Sequence, residues 1–396
     1  MRHRADIVIV GSGIVGLTTA LALTEAGLEV TVVEAGAFES DGADEIDAPP
    51  LPPWSYPAPV QRLMRRSRRL LPELVLRLAQ QTGVDCEHRR AGLLLAGEVV
   101  GQGAEWLART DMHAVPGRVG DFESALSGPD RSAVLFAEAG QVRHRRLRQA
   151  LVLSLAARGV AVWRGRRAAR LRVAGNIVLG VELAGGARVD ADAVVLAGGS
   201  GANPLLFDSG LEPLDIDPPR SPLLLLNPVS RLLGRMVNTG EVFLLPRPDG
   251  RILAGPVIDA PADARVPPDF EELTTRVLDT LPALSGFDLE ARWFGFGAVR
   301  APVPSVGAYP QLRGLWVNAG HFRAGLGIAT AAAELLADQL SGGPTVPGLA
   351  ARLAGSRHLP VPIRSTPSRN LPDRIPVNSF MQLTRHQLKQ RSNYHE

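Results

Sequence analysis

The residues best placed to do chemistry lie between Asp6 and Glu34, in DIVIVGSGIVGLTTALALTEAGLEVTVVE. The apolar run Ile7–Val10 reads as a buried parallel strand and enters Gly11-Ser12-Gly13-Ile14-Val15-Gly16, a full GxGxxG. The first glycine permits a tight turn, the second lets the backbone approach a diphosphate, and the third lets the next helix pack on the strand. That helix is expected over Ile14–Glu25, with its N-terminal amides and positive dipole end facing the diphosphate. A second strand, Val30–Val33, ends in Glu34 and Ala35, and the Glu34 carboxylate can accept both hydroxyls of an adenosine ribose. Strand, turn, helix, strand and acid in this order favour a dinucleotide site over a glycine turn that binds nothing.

A second informative stretch is GLWVNAGHFRAGLGIATAAAELLADQL, Gly314–Leu340. Leu315–Asn318 reads as a buried strand, Gly320–Gly327 as a glycine-punctuated loop, and Ile328–Leu340 as an alanine-rich helix. Two helix N-termini, one from each end of the chain, suit a long ligand such as FAD better than NAD. The first would bind the diphosphate and the second the flavin N1 and C2 carbonyl, where negative charge accumulates on reduction. His321 is the titratable side chain beside this loop; it suits loop packing as well as acid or base chemistry.

The elements between must hold these two stretches together. At 396 residues, 45% hydrophobic, with mean hydropathy near zero, the chain has the composition of a two-domain soluble enzyme. It has no apolar run of membrane-spanning length and no recognisable leader, and a cytoplasmic protein is expected. Cys86 is the only cysteine, which excludes disulfides, iron–sulfur clusters and thiolate zinc within one chain, and no metal site is expected from the scattered histidines. Lys389 is the only lysine, so a Schiff-base mechanism lacks a core nucleophile. The net charge of +3 points to no nucleic-acid partner.

Asp41–Pro59 is acidic, then proline-rich, and reads as an extended excursion. Val60–Gln81 is predicted helical, with Leu63, Leu70, Leu74 and Leu78 on one face and Arg62, Arg65, Arg66, Arg68 and Arg69 on the other, a solvated face in the simplest reading. Further helices are expected at Leu147–Arg158 and Glu271–Leu281. Strands are expected at AVWRG, ARLRV, IVLGVEL, a short Val194–Leu196, Leu223–Leu226, Val242–Leu245 and Ala291–Val299. Asp249-Gly250 predicts a hairpin.

Together the GxGxxG, the hairpin FLLPRPDGRILAG, the segment RWFGFGAVRAPVPSVG and the late glycine-rich string resemble the D-amino-acid oxidase superfamily, in its glycine oxidase and sarcosine oxidase branch. The resemblance implies an α/β fold: a Rossmann-like FAD-binding domain (GR2-type) built from 1–50, 141–205 and 306–345. An interleaved α+β substrate domain, 51–140 and 206–305, would carry a mostly antiparallel sheet, and 346–396 would form a tail. Carried over, Gly11, Ser12, Gly13, Ile14, Val15, Gly16, Glu34 and Ala35 hold the ADP part of FAD, Ala168 lies at the adenine, and Ala197, Gly198 and Gly199 pass near the ADP. Gly320, His321, Arg323, Gly325, Leu326, Gly327 and Ile328 lie at the isoalloxazine. Aromatic hydroxylases share the first motif but end their site with a Gly-Asp pair, where this chain has Asn318-Ala319-Gly320-His321.

The resemblance implies a FAD-dependent oxidase moving hydride from a carbon next to nitrogen of an amino acid or glycine-like amine to flavin N5, giving an imine or hydrazone. Dioxygen would normally reoxidise the flavin to give hydrogen peroxide. Arg323 matches an arginine that reaches the substrate in that branch, or closes the loop over the flavin. Three departures point to a rebuilt substrate site. Phe243 stands where a carboxylate-binding tyrosine is usual, and Gly297 where a clamping arginine is usual, with Arg300 three positions on. Asp41–Pro53 replaces a serine- and alanine-rich stretch near the flavin. A carrier-protein-bound aminoacyl thioester would need no carboxylate clamp and would give the basic helix face an acidic partner. A non-catalytic flavin-binding assembly subunit is the third reading.

Overall fold

The computed structural model describes residues 2–36, 53–102, 113–216, 220–228, 230–257, 269–296, 303–321 and 324–342. The described residues form two eight-stranded sheets with helices. The first sheet is parallel at its centre: β16 (Leu315–Ala319), β9 (Arg188–Leu196), β1 (Arg2–Val10), β2 (Val30–Val33) and β6 (Ala161–Trp163) lie side by side in that order. β15 (Ser305–Ala308) adds antiparallel beside β16, and the hairpin of β7 (Ala168–Ala174) and β8 (Ile177–Leu183) branches from β9. First and last parts of the chain therefore become neighbours through β9, as a parallel sheet with crossover connections permits.

Four helices cover one face: α1 (Ile14–Glu25), α2 (Ala58–Thr82), α3 (His144–Ala157) and α5 (Gly325–Ser341). α1 and α5 carry apolar and small residues nearly all round, as centrally packed helices do, whereas α2 and α3 are amphipathic and lie outside them. α2 falls in the stretch 51–140 assigned from sequence to the substrate domain, yet Val60, Leu63, Leu74, Val75 and Leu78 join the core around α1, α3 and α5. Arg66 pins it there with two bonds to Glu334 of α5, 2.8 and 2.7 Å long.

The second sheet runs β14 (Leu289–Phe296), β10 (Arg220–Leu226), β13 (Ile252–Pro256), β12 (Val242–Pro246), β11 (Met236–Asn238), β3 (Leu93–Ala96), β5 (Ser132–Phe136), β4 (Val115–Arg118). Every adjacent pair is antiparallel except β3 with β11. One face packs on α4 (Phe270–Thr280) through Leu273 and Val277, and the other carries Phe136, Leu223, Phe243 and Leu253. Val257 packs against this second face and against the helical core of the first sheet, so the layers meet there. Arg143, just before α3, links them again, reaching Glu87 and Asp249 of the β12–β13 hairpin at 3.2 Å each.

The expected elements appear with modest shifts in boundary and two large ones: β1 begins at Arg2 rather than Ile7, and β9 runs nine residues rather than three. Its first part alternates buried and exposed residues, so only the wholly buried end shows as an apolar run. Arg300, Gly297, Phe322, Arg323, Asp41–Pro50 and the tail 346–396 lie outside the described residues.

The second sheet is tightly packed at Gly255, where a Cβ would approach Phe243 Cζ to 2.5 Å and Leu223 Cδ2 to 2.7 Å. Gly255→Ala is expected to destabilise the fold by about 1–3 kcal/mol through overpacking. Phe243→Leu in the same chain should recover part of that loss, as measured by chemical denaturation.

Candidate cofactor and substrate site

The C-terminal ends of β1, β2 and β9 meet at one point. Gly11 N donates to Val33 O at 2.9 Å and Ala197 N to Val10 O at 2.9 Å, bringing the two glycine turns into contact. Gly11 sits at φ +111°, and a Cβ there would lie 2.7 Å from Gly198 Cα. At Gly16 a Cβ would fall 2.1 Å from Gly11 O. The two turns therefore meet through backbone alone, with no room for a side chain at Gly11 or Gly16.

Gly13 is extended (φ −66°, ψ 174°), and Leu17 N to Gly13 O, 2.9 Å, is the first bond of α1. Among the described residues neither α1 nor α5 has a side-chain cap or an acid in its first turn, an arrangement that suits an anion or an electron-rich ring at each N-terminus. Glu34 accepts from Ser12 N at 2.7 Å and Gly36 N at 3.0 Å, which holds its carboxylate against the glycine turn. Ile14 is buried, Val15 half-buried, and Ala35 exposed beside Glu34. Ala168 opens β7 as a buried residue, while Ala197 is buried between the turns and Gly199 is left-handed at φ +57°.

A buried chain of side-chain bonds joins this end to the late loop. Thr19 of α1 donates its hydroxyl to Val15 O (2.7 Å) and accepts from Asn318 Nδ2 (2.9 Å). Asn318 Oδ1 lies 2.8 Å from His321 Nε2, which assigns the ring proton to Nε2. Full burial lowers the His321 pKa to about 4, so the ring is neutral near pH 7 and fastens the loop. Gly320 follows at φ +76°, and Gly325, Leu326, Gly327 and Ile328 form the first turn of α5, with Gly325 against His321 Cβ and Gly327 facing Met64.

In the second sheet Gly255, Phe243, Asn238, Leu95 and Val134 stand opposite one another in register from β13 to β5, and Trp293 of β14 pairs with Leu223 of β10. Phe243 is wholly buried in an apolar cluster there. Among the described residues no set of three or more His, Cys, Asp or Glu is placed to hold a metal, and Cys86 is buried, its thiol pushed up to about 11 mainly by that burial.

One charged residue at the cradle is new. Arg148 of α3 is only 6% exposed; its Nε donates to Ser12 O at 3.0 Å and its Nη2 to Ser12 Oγ at 3.1 Å. Its signal is in the sequence: His144, Leu147, Arg148, Leu151, Val152 and Leu155 follow helical spacing, so a charge stands within the buried stripe. Asn318 and Thr19 carry no comparable local signal.

The cradle, two uncapped N-termini and Glu34 fit an extended anionic dinucleotide such as FAD, and comparison with known proteins agrees. The family model for FAD dependent oxidoreductases (DAO) matches residues 6–339, and the chain belongs to that family. It is an FAD-dependent oxidoreductase. A glycine oxidase from Pseudomonas aeruginosa is 33% identical over 351 residues, covering 85% of this chain and 94% of that protein. A D-amino acid dehydrogenase from Methylobacterium radiotolerans is 28% identical over 405 residues, covering 85% and 96%. The crystal structure of glycine oxidase from Geobacillus kaustophilus matches with a TM-score of 0.79 at 24% identity, covering 90% of this chain and 99% of that one. The family match sets aside the hydroxylase alternative.

His321 yields a pH prediction. Its ring protonates near 6.5 when unfolded and near 4 when folded, so between these values the unfolded chain holds the extra proton. The stabilisation is complete above about pH 6.5 and is lost as the pH falls toward 4, by up to roughly 3 kcal/mol. His321→Asn should flatten this part of the stability–pH curve, read by urea unfolding at intervals across that range.

Proposed function

We propose that the protein oxidises the carbon next to nitrogen in an amino acid or modified glycine-like amine to an imine, with dioxygen as acceptor and hydrogen peroxide as its product. The observation that carries this reading is an apolar sheet face, with Phe243 wholly buried in it, in the layer that meets the helical core of the cofactor sheet through Val257. When bound, FAD supplies the two-electron acceptor. An apolar wall disfavours the ammonium form of a substrate and so favours the neutral amine whose lone pair assists oxidation. It also keeps water from the reacting carbon.

In this reading Arg323 orients an acidic group of the substrate and Arg300 serves as a substitute clamp. Phe243 offers no hydroxyl and Gly297 no guanidinium, which supports a substrate whose carboxylate is masked, displaced or absent. The glycine oxidase relative supports dioxygen as acceptor; the dehydrogenase relative makes another acceptor the alternative. A carrier-bound aminoacyl thioester is a second reading, supported by Arg62, Arg65 and Arg69, exposed along α2; Arg66 is committed to Glu334.

Anaerobic mixing of the FAD-loaded protein with glycine, N-methylglycine and glycine ethyl ester tests the proposal. The ester should bleach the flavin at least as fast as either free acid, and readmitted air should restore the colour with release of peroxide. Bleaching by none of these would overturn the reading, and bleaching by the free acids alone would overturn the masked carboxylate while leaving amino-acid oxidation standing.

A further inference from the structure

Two polar side chains interrupt the apolar face of the second sheet. Ser221 of β10 is only 8% exposed, and Trp293 of β14 is half-buried with its Nε1 wholly covered. Among the described residues neither the Ser221 hydroxyl nor the Trp293 N–H finds a hydrogen-bond partner. Both lie on one face. Leu223, two positions from Ser221, belongs to the cluster around Phe243, and Trp293 packs against that cluster, so strand alternation sets Ser221 on the same side. Ser221 pairs with Gly295 and Leu223 with Trp293, which makes Ser221 and Trp293 diagonal neighbours, a separation that an aromatic side chain can span. Gly295, opposite Ser221, adds no side chain there.

Their end of the sheet is the one that meets the other layer. With Leu224 opposite Ala254 in an antiparallel pair, Ser221 and Val257 each lie three residues on toward the same end, and Val257 packs into the helical core of the cofactor sheet. A buried donor without an acceptor is costly, and a ligand oxygen accepting from both groups would offset that cost. We propose that Ser221 Oγ and Trp293 Nε1 receive the carbonyl oxygen of the substrate's acyl group, an inference that rests on the amine oxidation proposed above and names the group beside the reacting carbon. Both donors are uncharged, which suits the neutral carbonyl of an ester, thioester or amide, whereas a free carboxylate draws its strongest bonds from a cation.

Binding of nitrogen-free analogues to the FAD-loaded full-length protein tests this, read from perturbation of the flavin absorption spectrum. Ethyl glycolate carries the ester carbonyl, and 2-ethoxyethanol is the same chain with a methylene in its place. The wild type should bind ethyl glycolate about 5-fold or more tighter, and Ser221→Ala and Trp293→Phe should each remove most of that preference while changing 2-ethoxyethanol affinity less than about 2-fold. Ser221→Ala should also leave the urea midpoint of the ligand-free protein unchanged or raised, since removing an unpaired buried hydroxyl forfeits no bond. Should Trp293→Phe not fold, as judged by circular dichroism, Ser221→Ala carries the comparison. Absence of a carbonyl preference in the wild type, its retention in either folded variant, equal losses for the two ligands, or a lowered urea midpoint for Ser221→Ala would overturn the proposal. Bleaching by amines is a separate measurement, so failure of the oxidation and failure of this subsite are told apart.

Discussion

The buried bonds from His321 through Asn318 and Thr19 to Val15 O hold together residues 299 positions apart, and the site depends on them. Each bond contributes only about 1 kcal/mol net, but leaving one of these buried groups without its partner costs more, about 1–3 kcal/mol. The chain therefore acts less as a source of stability than as a selector of arrangement. α5 can sit against α1 in the register that satisfies Asn318, and slipping would orphan polar atoms in an apolar core. That register places both helix N-termini on one side of the sheet.

The two halves of the site are physically opposite. The first sheet gathers two helix N-termini and the Arg148 guanidinium, with the Glu34 carboxylate beside them. The second sheet offers an apolar face in which Phe243, Leu223 and Leu253 pack around Gly255. A ligand with an anionic diphosphate at one end and a flat, electron-accepting ring at the other matches that contrast. The junction is fastened by Val257, which packs into both cores, and by the ion pairs of Arg143.

Glycines at the two turns set how closely these parts approach. Gly11 meets Gly198 across the sheet through backbone atoms alone, and Gly16 closes on Gly11 O, so the cradle is shaped by missing side chains. Phe243 lies away from those turns, on a strand where it pairs with Gly255 on one side and Asn238 on the other.

The sequence by itself determined the elements whose signals are local. Strand, glycine turn, helix and acid from Asp6 to Glu34, the Asp249-Gly250 hairpin and the alanine-rich last helix are encoded in runs and spacings of a few residues, and the structure repeats them, with the first strand begun at Arg2 and the last helix at Gly325. Tertiary structure alone decided which polar groups meet. β9 extends six residues beyond its apolar run because pairing with β1 satisfies its backbone, and α2 packs on the first layer because its apolar face fits against α5. Arg148 was legible as a charge in a buried stripe, but not as a partner of Ser12, 136 positions away. Periodicity reports which face of an element is buried; which atoms lie across from it is a non-local outcome, set by the packing of the whole chain.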